Sequence, residues 1–153
     1  MLKRIVIADA STIIGLAYID SLDILEGLYG QIEITSVVRD EVDMPLPSWV
    51  KVNDEYNATV FQTLVPNLDD GEASAIALAL AQKDSLLIID EKKGRKFAVN
   101  LGLQITGVIG VIIKAREVGI ISSGKSKLDG LMDKGFRFSQ KIYQLALEKM
   151  DEA

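Results

Sequence analysis

Four short apolar runs punctuate the chain: Ile5 to Ala8, Ile32 to Thr35, Leu86 to Ile89 and Leu103 to Thr106. Between them, apolar residues recur three and four positions apart, the spacing of a helix with one buried face. Parallel strands need a crossover of a dozen or more residues, and the helical segments are long enough to supply it. The alternation therefore predicts an α/β domain with a parallel sheet, a single unit over residues 1–153 with no linker. A chain of 153 residues can bury about two-thirds of the surface it exposes when unfolded, so a substantial core is expected.

Helix ends follow from punctuation. From Ser11 the periodicity (Ile14, Leu16, Ile24, Leu25, Leu28) runs to Gly30, a C-cap residue. Residues 45–68 carry the weakest signal: MPLPSW is a loop because two prolines lie two apart, and NDEYNATVFQTLV is assigned to a helix. DDGEASAIALALAQ is a buried helix, EKKGRKFAVNLG a second ending at Gly102, and GVIGVIIKAREVG a third ending at Gly119. Two short amphipathic helices flanking GFRFS fill Lys127 to Met150.

Absences narrow the chemistry. With no Cys and no His, thiol nucleophiles, zinc ribbons and Ser-His-Asp triads are excluded. The basic pair Lys3-Arg4 precedes apolar residues as in a signal peptide, but Asp9 interrupts the apolar stretch, which points to a mature cytoplasmic protein. The longest uncharged run, Phe97 to Ile113, is 17 residues with polar groups and glycines inside it, so no membrane association is expected.

Acids end two of the strand-like runs. Ligand sites in open parallel sheets form outside the carboxyl ends of the strands, where Asp9 and Asp90 would sit. A plainer role for Asp90 is to cap the helix EKKGRKFA. That role explains Asp9 less well, because Ser11 or Thr12 could cap the following helix. If Ser36 caps a helix through VVRDEV, a turn of ~100° per residue puts Glu41 on the inward arc with Val37 and Val38. The same rotation lines Glu72 up with Ile76 and Leu80 on an apolar helix, although Asp69 and Glu72 also have capping-box spacing. Carboxylates about 4 Å apart repel by ~4 kcal/mol at an effective dielectric near 20, so four in one crevice require protonation or a bound cation. Oxygen donors without His or Cys suit Mg²⁺ or Mn²⁺.

Charge is distributed unevenly: residues 1–91 hold 5 Lys/Arg against 16 Asp/Glu, and residues 92–153 hold 12 against 6. Lys92, Arg95, Lys96, Lys125, Lys127 and Arg137 could track an RNA backbone, with Arg95 one helical turn beyond Glu91 as the best placed. Trp49 with Tyr56, and Phe136 with Phe138, could stack bases, although packing explains them more simply. GIISSGKS at 119–126 fits the P-loop pattern of an NTPase, but a P-loop follows a strand and here a helical segment precedes it.

Taken as a set, IVIADASTIIGLA, TSVVRDEV, DDGEASAIALALA, LLIIDEKKGRKFAVNLGLQITGVIGVIIKAREVGII and LDGLMDKGFRFSQKIYQLAL resemble the PIN-domain ribonucleases, especially a prokaryotic subgroup close to VapC-type toxins. The resemblance spans nearly the whole chain. It implies a three-layer α/β/α PIN-like fold with a central, mostly parallel sheet of four to five strands. It also implies an Mg²⁺- or Mn²⁺-dependent endoribonuclease acting on RNA, frequent homodimers and often an antitoxin partner. Carried over by position, it assigns catalytic and metal roles to Asp9, Glu41, Glu72 and Asp90, with Ser11 as a supporting hydroxyl. Toxin relatives commonly have Asp in place of Glu72, and an acid where this chain has Lys92. Glu91 could therefore replace or supplement Asp90, and Lys92 could contact phosphate. A non-catalytic PIN-like module binding RNA or protein is the alternative.

Overall fold

Side chains alternate across β1 (Ile5–Ala8): Val6 and Ala8 enter one core and Ile7 another, all of them buried. β1 pairs in parallel with β2 (Ile32–Ile34) on one side and with β4 (Ser85–Ile88) on the other. β3 (Val50–Val52) extends the sheet beyond β2, and β5 (Gln104–Thr106) extends it beyond β4, giving five parallel strands in the order β3-β2-β1-β4-β5. The computed structural model describes residues 4–153, so Met1 to Lys3, and with them the first member of the basic pair, lie outside the described residues.

Helices cover both faces, in the three-layer α/β/α arrangement. Val6, Ala8 and Ile88 face α1 (Ala10–Tyr18), α2 (Asp23–Tyr29), α7 (Val108–Glu117), α8 (Gly124–Asp133) and α9 (Gln140–Lys149). Ile7, Leu87 and Ile89 face α4 (Ala58–Leu64), α5 (Asp70–Leu80) and α6 (Lys92–Asn100). The remaining helix, α3 (Ser36–Val42), leans on both α1 and α5. No helix of the described residues is long and apolar enough to cross a membrane.

Three local expectations are corrected. The helix expected from Ser11 to Gly30 is two helices, because Asp20 turns left-handed at φ 54° and Ser21 N–H returns to the Leu16 carbonyl at 2.8 Å. Apolar spacing runs through that break because α1 and α2 pack into the same core. Thr35, not Ser36, caps α3: its Oγ1 accepts the Val38 amide at 3.1 Å. β3 falls in a segment without strand signal, since only Val50 of its three residues is buried.

The P-loop pattern is incidental, as the helical spacing before it implied. α7, not a strand, leads into Gly119, which has φ 83°. At the start of α8 the Glu152 carboxylate accepts from Ser123 Oγ at 2.9 Å and the Gly124 amide at 2.8 Å, filling the place a phosphate would need. Lys125 pairs with Asp129 at 2.8 Å and Lys127 reaches Ser21 Oγ at 2.7 Å. Trp49 and Tyr56 pack in different cores and form no pair.

Candidate metal centre at the sheet switch point

The chain leaves β1 for β2 and β3 on one side and returns to β4 and β5 on the other, so the switch point lies between β1 and β4. Asp9 follows β1 there, and Asp90 follows β4 by two residues. Asp9 is only 3% exposed and caps α1: its Oδ1 accepts the Thr12 amide at 2.9 Å. Its Oδ2 accepts the Asp90 amide at 2.9 Å and the Ser11 hydroxyl at 3.2 Å. The expectation that Ser11 or Thr12 would take the cap is thereby corrected; both serve Asp9 instead.

Asp90 does not cap α6. Glu91 occupies that position without a side-chain bond. Instead Asp90 Oδ1 accepts the Val108 amide at 2.9 Å, in the first turn of α7, where the cap residue Gly107 has no side chain of its own. Its Oδ2 accepts the Thr12 hydroxyl at 2.7 Å. Thr12, fully buried, therefore donates to both acids, a role beyond the possible cap that its place in the sequence suggests. Its signal was position: the third residue after an N-cap acid directs its amide at that acid.

Glu72 enters from α5. Asp69 caps this helix by accepting the Glu72 amide at 2.8 Å, but the return bond of a capping box is absent from the bonds formed. Glu72 Oε2 is instead buried with no hydrogen-bond partner. A Cβ on Gly94 would lie 2.9 Å from that oxygen, so α6 approaches it through a glycine. Glu41 comes from α3 and remains exposed, which corrects its expected inward placement. Its carboxylate nevertheless lies over Gly71 of α5, where a Cβ would collide with it. The α3–α5 approach is fixed by a buried 2.7 Å hydrogen bond between Thr35 Oγ1 and Ser74 Oγ.

Electrostatics tie the acids together. Burial, and then the Asp90 carboxylate, push the Asp9 carboxyl up to about 6 against the bonds it accepts. Burial, and then Asp69, push Glu72 up to about 8, with Glu91 and Asp9 adding to the effect. Although Glu41 is exposed as a residue, partial desolvation of its carboxyl over α5, and then Asp69, Asp70 and Asp9, raise it as well, against the Gly71 amide. Asp9 is thus felt at both glutamates. Each raised value marks a carboxylate that lacks compensating positive charge.

Cations border the crevice on one side. Arg95 Nη1 donates to the Ile89 carbonyl at 2.8 Å and lies, with Asp90 Oδ1, against Gly107. Lys92 is exposed at the start of α6. A groove of about 810 Å³ opens from Asp90, bounded by Lys92, Arg95, Phe136, Arg137 and Phe138.

The donor set fits a hard divalent cation: every candidate atom is a carboxylate oxygen, and one of them is buried without a partner. Among the described residues, no group of three or more acids is close enough to hold one ion together. Mg²⁺ commonly takes only one or two carboxylates and keeps several waters, so that spacing is compatible with it.

No curated protein and no solved structure matches the chain. A family model described as PIN domain matches residues 5–152, and with the five-stranded parallel sheet between two helical layers this establishes that the chain belongs to the PIN-domain family.

Proposed function

We propose that the protein is a divalent-metal-dependent endoribonuclease whose catalytic acids are Asp9, Glu41, Glu72 and Asp90. The observation that carries this reading is the buried, unpartnered Glu72 Oε2 at a point where Asp69, Glu91 and Asp9 are also close enough to interact, with Glu41 coupled to the same Asp69 and Asp9. A buried acceptor without a donor costs ~1–3 kcal/mol, and a bound cation would remove that cost.

Glu72 and Asp9 would hold the ion, with Glu41 and Asp90 closing the crevice on either side. Mg²⁺ or Mn²⁺ bound there would lower the pKa of an attacking water and stabilise the departing oxygen. Thr12 fixes both aspartates through its two donated bonds. The Ser11 hydroxyl, already directed at Asp9 Oδ2, supports the same carboxylate. Arg95, with one nitrogen bound to Ile89, has the rest of its fork for a phosphate beside Asp90. Glu91 adds negative charge near Glu72, and Lys92 faces the incoming strand.

The test is Glu72→Gln. Wild-type protein should bind Mn²⁺ in a calorimeter and cut single-stranded RNA, and the variant should lose both. One observation favours a second reading, a non-catalytic binding module: both oxygens of Asp9 and of Asp90 are already hydrogen-bonded within the protein. That reading requires wild-type protein to give no binding heat with Mg²⁺ or Mn²⁺ and no hydrolysis.

A further inference from the structure

The groove beside the acids is built differently from the crevice. Its floor comes from the loop between α8 and α9, where Gly135 turns left-handed at φ 103° and the Phe136 amide returns to the Leu131 carbonyl at 3.0 Å. Phe136 packs on Gly15 of α1, in space a Cβ there would fill. Phe138 rests on Phe136, with ring centroids 6.3 Å apart and planes tilted by 48°. Both rings line the groove, together with Lys92, Arg95 and Arg137. Among the described residues none of these cations forms an ion pair with a carboxylate.

Anchored aromatic rings beside unpaired cations match a ligand that is flat, apolar and anionic at once. A nucleotide of an unpaired strand is such a ligand, because its base offers a free face and its phosphate a charge. In a duplex those faces are covered by neighbouring pairs. A volume of about 810 Å³ has room for a base and its flanking phosphates, within the ~300–1,000 Å³ of sites for small ligands. Asp90 forms part of the same wall, so a strand lying in the groove continues into the acid crevice.

We propose that this groove is the subsite for the nucleotide adjacent to the cleaved bond of a single-stranded polynucleotide. The base stacks on Phe138, and Arg137 and Lys92 hold the phosphate. The word cleaved rests on the nuclease reading; occupancy of the groove does not.

Binding in EDTA separates the two. Fluorescence anisotropy with a labelled uridine decanucleotide compares the full-length wild type with Phe138→Leu, which keeps apolar volume but removes the ring, and with Arg137→Gln at an exposed position. Phe138→Leu should weaken binding by about 5- to 150-fold, the range seen when one stacking ring is removed. Arg137→Gln should reduce the slope of log affinity against log salt by about 0.7, one phosphate contact on a single strand. A ten-base-pair RNA duplex should bind at least about tenfold more weakly than the single strand.

Wild-type affinity in both variants overturns the assignment and leaves the groove to a protein partner. Absence of single-strand binding, or duplex binding of equal strength, overturns it too. If the variants weaken binding as stated but wild-type protein cuts nothing with Mn²⁺, the nuclease reading falls and the subsite stands. Unaltered binding and cleavage in both variants removes the subsite alone.

Discussion

The proposed chemistry turns on Glu72, and its titration makes that residue measurable. The carboxyl titrates near 8 in the folded chain against an ordinary 4.5, so between those values the folded state holds more protons than the unfolded one. Its contribution to the metal-free protein is therefore fully present below pH 4.5 and is lost as pH rises to about 8. Asp9 repeats the pattern between 3.8 and about 6. Chemical denaturation in EDTA should show Glu72→Gln more stable than wild type by about 1–3 kcal/mol at pH 8.5, with the gain shrinking towards pH 4.5. A difference independent of pH would mean that Glu72 is not buried as an uncompensated acid. Thr12→Val tests the opposite case, a residue whose polar atoms are all used. Loss of the hydroxyl leaves Asp90 Oδ2 without its 2.7 Å donor, and stability should fall by about 1–2 kcal/mol in a urea melt.

Among the elements, α6 matters for what it lacks. Gly94→Ala adds one methyl group 2.9 Å from Glu72 Oε2 and 2.8 Å from Ile89 Cδ1, so the carboxylate must shift. Helix propensity alone favours the alanine by ~1 kcal/mol, yet Mn²⁺ affinity in a calorimetric titration should drop about 10- to 100-fold. Unchanged affinity would show that the glycine serves helix packing only. Legibility in the sequence followed the same physics. Four of the five strands could be read because each carries its own apolar run, buried in β1, β2 and β4 and half-buried at Leu103 and Ile105 in the run of β5, and Asp9 and Asp90 stood out as acids ending two of them. β3 could not be read, because one buried Val and pairing to β2 define it. Capping was misassigned where several candidates lay in register: Asp9, Ser11 and Thr12 all suit the start of α1, and the Asp90 amide, contributed by a distant strand, decides among them. Thr35 was missed as a cap because Ser36 beside it is an equally suitable residue type, and the bond that holds Thr35 Oγ1 in place comes from Ser74, 39 residues away. Glu41 is a mixed outcome, since helical rotation directs it towards α5 but says nothing of how much solvent reaches it.

For the whole molecule, the charge asymmetry of the sequence becomes a spatial division. Asp9, Glu41, Glu72 and Asp90 come from the acidic residues 1–91, whereas Lys92, Arg95 and Arg137 come from the basic residues 92–153. The order β3-β2-β1-β4-β5 brings the two sets together at the β1/β4 switch, acids in the crevice and cations along the groove. Both cores hold that junction in place. Ile7, fully buried between β4 and β2, should cost about 2–5 kcal/mol when changed to Ala, read as a lower urea midpoint. Ligand linkage gives the most direct test of the central claim, that the crevice lacks positive charge which a divalent ion supplies. At pH 7.5, Mn²⁺ at 100 times its dissociation constant should stabilise the folded chain by about 2.7 kcal/mol, raising the melting temperature by roughly 5–10 °C. Glu72→Gln should show no such rise. A melting temperature of wild-type protein that does not move with Mn²⁺ or Mg²⁺, or one that moves equally in the variant, would contradict the account.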